Sequence, residues 1–162
     1  MSESIESKLY KLGCNLFPAI RRSNVRVTYV SKDFSKLSVR LPLTWKTCNI
    51  HGAIMGGNLY AAVDPFYVGL FQKRLGKGYV AWDKESNIKF KKPGKKTLYT
   101  TFEVSDNDII EIKRRFETRD KVEQSYNIDL VDTNGTVYAE KNNAATESIR
   151  KNRQDYWVHN PH

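Results

Sequence analysis

Cysteine and histidine are scarce in this chain, and long apolar runs are absent. Of 162 residues, two are cysteine and three are histidine. Cys14 and Cys48 are too few for a disulfide framework, and no Cys-x-x-Cys or cysteine–histidine cluster indicates a metal site. The best apolar run, residues 66–71, is far shorter than the roughly 20 residues that span a bilayer. We therefore expect neither a metal site nor a membrane span.

Other absences bear on location and domain organisation. Residues 1–11 are polar and lack the apolar middle of a signal peptide, so we expect a cytoplasmic protein. No internal repeat or low-complexity linker divides the chain. Hydrophobic residues make up 40% of it, which argues against disorder. The length fits one domain that can bury a sizeable core.

Positive charge is the most pronounced feature of the composition. The chain has 27 Lys and Arg against 18 Asp and Glu, a net charge of +9, which favours anionic partners. A solvated basic surface and a phosphate-binding cluster both remain open as explanations. Nucleic acid is not an expected partner, because no helix-turn-helix, zinc-finger or ribonucleoprotein motif is present. The cluster that could contact phosphates comprises Lys91, Lys92, Lys95 and Lys96.

Two periodicities organise the chain. Helical spacing over residues 3–13 predicts a first helix that stops near Gly13, and a short turn follows at 16–20. Asp106 could cap another short helix. Asn134-Gly135 is a strong hairpin signal between the last two strands. Alternation of apolar and polar residues predicts antiparallel strands over 25–29, 37–43, 79–90, 98–104, 122–131 and 136–145.

A central segment is apolar on nearly every side, which predicts a helix over residues 53–73 that is buried all round and kinked at Pro65. The simplest architecture is α+β, a long antiparallel sheet wrapped around this one helix, with short extra helices. A lone protomer would leave part of the sheet's apolar face exposed, so we expect a homodimer or homotetramer. We divide the chain into a helical segment (1–22), a main domain (23–148) and a polar tail (149–162).

Glycines precede the central helix, and one acid lies inside it. Gly52, Gly56 and Gly57 would let a substrate approach the backbone, and the helix N-terminus suits an anion or developing oxyanion. Asp64 has almost only apolar neighbours in sequence, so it is either paired, with a local backbone group or a buried cation, or functional. Gly57 and Asp64 are about 10 Å apart along one helix. If they act on one carbonyl, they must come from different protomers.

The pattern Asn49-x-x-Gly52-x-x-Met55-Gly56-Gly57, followed by Asp64, resembles the acyl-CoA thioesterases of the phenylacetate-pathway type. Residues 25–148 also resemble a hotdog-fold subfamily that is catalogued as a domain of unknown function. The resemblance implies a hotdog fold and hydrolysis of acyl-CoA or acyl-carrier thioesters. It implies no cofactor, since coenzyme A is part of the substrate.

The resemblance also implies roles for individual residues. Asp64 matches the catalytic acid, a general base or nucleophile, and the amide of Gly57, with that of Gly56, matches the oxyanion donor. Asn49 matches an asparagine near the thioester, although a loop-forming role is equally open. We include three further residues as candidate substrate contacts, each of which could instead be structural: His51, Met55 and Tyr60.

One departure from the thioesterase pattern affects the predicted activity. Met55 stands where those enzymes have histidine, and methionine cannot shuttle a proton. His51 lies four residues earlier and is no direct replacement. A non-catalytic protein that binds acyl-CoA or fatty-acyl groups is therefore the alternative to a thioesterase.

Overall fold

The computed structural model describes residues 3–151, except for the side chains of residues 142–147. No helix in this part of the chain is long and apolar enough to cross a membrane. The helices are α1 (Ile5–Leu16), α2 (Pro18–Arg22), α3 (Gly56–Val63), α4 (Phe66–Leu75) and α5 (Asp106–Arg115). The strands are β1 (Arg26–Val30), β2 (Lys36–Leu41), β3 (Tyr79–Glu85), β4 (Ile88–Phe90), β5 (Leu98–Glu103), β6 (Lys121–Val131) and β7 (Val137–Lys151).

The strands form one seven-stranded sheet with the order β1-β2-β5-β6-β7-β3, and β4 pairs with β7. All of these pairings are antiparallel. The predicted hairpin at Asn134-Gly135 is confirmed. Asp132 Oδ1 accepts hydrogen bonds from the backbone of Asn134 (2.9 Å) and Thr136 (3.0 Å), and Gly135 has φ +78°. This side-chain bonding fixes the turn between β6 and β7.

The central helix is broken into two, so the prediction of one helix over 53–73 is wrong in detail. α3 ends at Val63 and α4 begins at Phe66. Pro65 has no amide hydrogen to continue the helical ladder, and its ring clashes with the carbonyl of the preceding turn. The start is also later than predicted, because Ile54 donates its backbone hydrogen bond to Gly94 and Met55 donates to Thr47.

Other boundaries also differ from the predictions. The strand predicted over 79–90 is interrupted between Glu85 and Ile88, and α1 continues past Gly13 to Leu16. The cap of α5 is Ser105, whose hydroxyl accepts from the backbone of Asp108. β7 extends three residues into the segment 149–162, and Ile149 there is fully buried. Residues 152–162 of the predicted tail lie outside the described part of the chain.

The core lies between the two halves of the broken helix and the inner face of the sheet. Phe102 of β5 packs against Phe66 and Tyr67 of α4, with ring centroids 5.2 Å apart in both pairs. Alternate residues of β2, Leu37, Val39 and Leu41, are almost fully buried. Burial of these side chains contributes roughly 1.5–3 kcal/mol each, and it fixes α3 and α4 against the sheet.

The amino-terminal helix docks on α4 through Tyr10. Its ring packs edge-on against Phe34, with centroids 5.5 Å apart, and Lys73 lies over the same ring. Its hydroxyl occupies the space where a side chain at Gly69 would begin. Gly69 is therefore required by this close approach of α1 to α4, despite the cost of glycine within a helix.

Gly69→Ala is expected to destabilise the protein, because the new Cβ would overlap the Tyr10 hydroxyl. In a Tyr10→Phe background the same substitution should cost less, and the higher helix propensity of alanine, up to about 1 kcal/mol, should offset part of that cost. Chemical denaturation of the four proteins in this cycle measures the difference. An equal effect of Gly69→Ala in both backgrounds would contradict the proposed contact.

Candidate functional site

The loop before α3 is shaped by the side chain of Asn49. Asn49 Oδ1 accepts hydrogen bonds from the backbone N–H of His51 (2.9 Å) and of Ala53 (3.2 Å). Gly52, at φ +71°, adopts the left-handed conformation that this turn requires. The asparagine oxygen is therefore used to build the loop that leads into the helix. This position agrees with the loop-forming alternative for Asn49 and leaves its predicted catalytic role a proposal.

Gly56 and Gly57 are the first two residues of α3, and Met55 is its N-cap. The first N–H groups of a helix have no carbonyl partner within the helix and carry partial positive charge. Gly57 is exposed, and nothing lies within 4 Å of the place where its Cβ would be. The backbone at Gly57 is thus open to a ligand. His51 and Met55 are exposed beside this helix start.

An open groove of about 360 Å³ runs along the start of α3. One wall is formed by Asn49, Ile54 and Gly56, and the other by residues 90–94. The Phe90 ring lies against Gly56, where an added Cβ would be 3.2 Å from the ring. The groove therefore brings together Asn49, Gly56 and two of the predicted lysines, Lys91 and Lys92.

The four lysines predicted to contact phosphates differ in their surroundings. Lys91 forms an ion pair with Glu140 at 2.8 Å, and Lys96 pairs with the buried Asp132 at 3.4 Å. Among the described side chains, Lys92 and Lys95 have no carboxylate oxygen within 4.0 Å of the ammonium group. Lys92 lines the groove, so it is the best placed of the four to meet an anionic ligand.

At the other end of α3, Asp64 lies beside a buried lysine. Lys141 of β7 is 0% exposed, and its Nζ is 3.7 Å from Asp64 Oδ1 and 3.9 Å from Asp83 Oδ1. The same ammonium donates a 3.3 Å hydrogen bond to the backbone carbonyl of Val63, the last residue of α3. A cation at a helix C-terminus is favoured by the helix dipole. Asp64 is thus paired with a buried cation, one of the two possibilities left by the sequence.

The Asp64 carboxylate lies near both Lys141 and Tyr60. Its Oδ1 is buried and accepts no hydrogen bond from the described residues, while the side chain as a whole is 30% exposed. Tyr60 lies one turn earlier on α3 and interacts electrostatically with this carboxylate. The carboxylate is therefore paired with a cation on its buried side and still reachable from solvent.

The surroundings of Tyr60 favour its neutral form. The hydroxyl of Ser86 lowers the pKa of the Tyr60 phenol, but burial and the nearby carboxylates of Asp64 and Asp83 together outweigh it. The net effect raises this pKa above its ordinary value. The structure places Tyr60 with Asp64 and not in the groove.

Sequence reasoning missed three members of this cluster: Lys141, Asp83 and Ser86. A signal for two of them was present in the strand periodicity. Lys141 shares a strand face with the buried Ala139, and Asp83 shares one with the buried Ala81. A charged residue on the buried face of a predicted strand needs a partner. Ser86 follows β3 at the interruption that the sequence did not reveal.

Residues 7–145 match the family described as Domain of unknown function (DUF4442). This chain belongs to the DUF4442 family. No curated protein matches the chain. The resemblance of residues 25–148 to a hotdog-fold subfamily of unknown function is therefore confirmed.

Solved structures share the fold of this DUF4442 protein. PA5026 of Pseudomonas aeruginosa, described as a probable thioesterase of unknown function, has a TM-score of 0.78 at 21% identity, covering 90% of this chain and 95% of that one. The thioesterase HI1161 of Haemophilus influenzae gives 0.65 at 13%, with 93% of each chain covered. The PaaI protein of the phenylacetic acid degradation operon of Escherichia coli gives 0.56 at 15%, covering 90% and 89%. The predicted hotdog fold is confirmed.

The Lys141→Met variant of this DUF4442 protein is expected to lose about 3 kcal/mol of unfolding free energy. The substitution keeps much of the side-chain volume but leaves two carboxylates beside an apolar core without their cation. We place the cost at the lower end of the range for buried pairs, because both carboxylates are close to 30% exposed.

The matched control is Lys92→Met, which removes the same charge from the exposed wall of the groove and should change stability by less than about 0.5 kcal/mol. Urea denaturation measures both variants. Similar small effects in the two would show that Lys141 carries no significant ion pairing.

Proposed function

We propose that this protein hydrolyses acyl-CoA or acyl-carrier thioesters, with Asp64 as the catalytic acid–base group. The observation that supports this most is the carboxylate itself. It lies beside the buried Lys141 at the end of a helix whose other end is an open, glycine-rich N-terminus. Thioesterases among the proteins of similar fold support the same reaction class. No cofactor is needed in this scheme, because coenzyme A belongs to the substrate.

The proposed reaction uses the two ends of α3. Asp64 takes a proton from a water molecule, and the resulting hydroxide adds to the thioester carbonyl carbon. The carbonyl oxygen becomes an oxyanion that accepts hydrogen bonds from the N–H of Gly57, supported by that of Gly56. Collapse of this intermediate breaks the carbon–sulfur bond, and the departing thiolate takes the proton from Asp64, which restores the carboxylate.

The two ends of one α3 cannot act on the same carbonyl, because they are about 10 Å apart along the helix axis. We therefore propose a homodimer in which Asp64 of one protomer works with Gly57 of the other. Large apolar side chains surround the start of α3 and support such an interface: Trp45 is 83% exposed, Ile50 95%, Met55 54% and Phe90 56%. A second copy would cover these side chains and bring another α3 alongside.

The groove beside Gly56 is the proposed path for the coenzyme A part of the substrate. Lys92 lines it, and Lys95 is close in sequence and exposed. An ammonium group is a suitable partner for a phosphate. Lys91 and Lys96 are already paired with Glu140 and Asp132, so we assign the phosphate contact to Lys92 and Lys95. Asn49 forms the opposite wall and stabilises the loop near the thioester.

A binding protein without turnover is the second candidate, and Met55 favours it. This exposed methionine caps α3, at the position where the resembling thioesterases have a histidine. Its thioether cannot donate a hydrogen bond to a thioester. The groove and the basic residues could then hold an acyl thioester without cleaving it.

Asp64→Asn should reduce kcat by at least about 100-fold on whichever acyl-CoA the wild type hydrolyses, because the amide cannot accept the proton from water. Thiol release from short, medium, long-chain and aryl acyl-CoAs measures this. Asp129→Asn, an exposed residue on β6, is the control for the loss of one negative charge. Turnover that is unchanged in Asp64→Asn would exclude the mechanism. Tight binding of an acyl-CoA with no hydrolysis would favour the second candidate.

A matched pair of variants tests the proposed oxyanion donor. Gly57→Ala keeps the N–H and has room for its methyl group, since nothing lies within 4 Å. Gly57→Pro removes the N–H in the first turn of α3, where proline is tolerated. Proline should lower kcat by roughly 10²- to 10³-fold, the usual effect of losing one oxyanion donor. Alanine should preserve most of the activity, provided that circular dichroism shows both variants folded. Equal activities would rule out a role for this N–H.

A further inference from the structure

Lys141 is a charged residue at a buried position of the sheet. Among the residues whose side chains are described, it is the only lysine or arginine that is fully buried. It lies in β7 opposite Ile88 of β4 and Ile128 of β6. Burial of an ammonium group costs several kcal/mol, which its partners must offset. A whole buried ion pair or triad can often be replaced by apolar residues of similar volume without loss of stability, so stability alone gives a poor reason for a lysine and its carboxylates here.

The partners of Lys141 meet at the end of α3. Val63 is the last residue of the helix and offers its carbonyl oxygen, Asp64 follows it, and Asp83 comes from β3. The ammonium is 0% exposed and faces the buried oxygen of Asp64, whereas the Asp64 side chain is 30% exposed. Lys141 therefore acts behind Asp64 and does not itself reach a substrate in solvent.

We propose that Lys141 is a positioning residue that fixes the orientation of the Asp64 carboxylate from behind. Its hydrogen bond to Val63 anchors the ammonium at the C-terminus of α3, and its charge holds Asp64 Oδ1 on the buried side. Tyr60, one turn earlier on α3, interacts electrostatically with the same carboxylate. The remaining part of the carboxylate is then directed outwards, where the proposed reaction needs it. The consequence for catalysis rests on the proposed function of Asp64.

A charge-compensated variant separates positioning from stability. Lys141→Met leaves two carboxylates without their cation. Adding Asp83→Asn removes one of the two negative charges, so the local net charge returns to that of the wild type although the ammonium is still missing. The double variant should therefore recover much of the thermal stability that Lys141→Met loses.

The turnover of the Lys141→Met/Asp83→Asn double variant should not recover. We expect kcat for the double variant to stay about 100-fold below that of Asp83→Asn alone, with KM changed by less than about 3-fold, because a misdirected catalytic group affects the chemical step more than binding. Recovery of kcat together with stability would show that Lys141 is only structural and would overturn the proposal.

A second measurement does not depend on turnover. Thermal unfolding of Lys141→Met, Asp64→Asn and the combined variant forms a double-mutant cycle. If Lys141 holds Asp64, the combined loss in Tm should be clearly smaller than the sum of the two single losses. Additive losses in Tm would show that Lys141 and Asp64 do not interact. If the wild type hydrolyses no acyl-CoA, the proposed function fails, and this cycle still decides whether Lys141 and Asp64 interact.

Discussion

The break in the central helix at Asp64-Pro65 is the constraint on which the rest of the site depends. Pro65 has no amide hydrogen, so α3 stops at Val63 and its last carbonyls need other partners. The buried ammonium of Lys141 takes one of them and lies within 4 Å of Asp64 and Asp83. A continuous helix would have placed Asp64 in a regular turn and left no carbonyl for the lysine. The break thus links a local backbone rule to the position of the only acid in the motif.

The two ends of α3 have complementary properties. At the start, the exposed Gly57 backbone and the groove beside Phe90 can receive an anionic ligand. At the end, a carboxylate is held beside a buried cation and a neutral phenol. The proposed hydrolysis uses both features, but a single chain keeps them apart. The exposed apolar side chains around the helix start are consistent with a second protomer that would unite them.

Much of the fold could be predicted from the sequence, because strand alternation and hairpin signals are local. The strands β2, β5 and β6 lie close to their predicted positions, and the Asn134-Gly135 turn was readable from two residues. The break at Pro65 was predicted only as a kink, since the sequence does not show whether neighbouring contacts keep a helix continuous. The start of α3 depends on a hydrogen bond from Ile54 to Gly94, a contact between distant segments that no local pattern reveals.

The candidate site was predicted only in part. Asp64, Gly56 and Gly57 stand out because glycines and one acid interrupt an apolar segment. Lys141 and Asp83 belong to strands that are remote in sequence, and their meeting with Asp64 depends on the register of β7 against its neighbours. Asn49 was identified from the motif, but the bonds of its oxygen to His51 and Ala53 required the folded loop.

In the proposed dimer, an acid and an amide from different protomers form one thioesterase site. Subunit complementation tests it most directly, using a heterodimer of Asp64→Asn and Gly57→Pro chains purified through two different affinity tags. Each parent homodimer should be inactive, whereas the heterodimer contains one site with both an intact Asp64 and an intact Gly57 amide. It should therefore regain about half of the wild-type thiol release per dimer, since a two-fold dimer has two equivalent sites. A heterodimer as inactive as its parents would contradict the shared site.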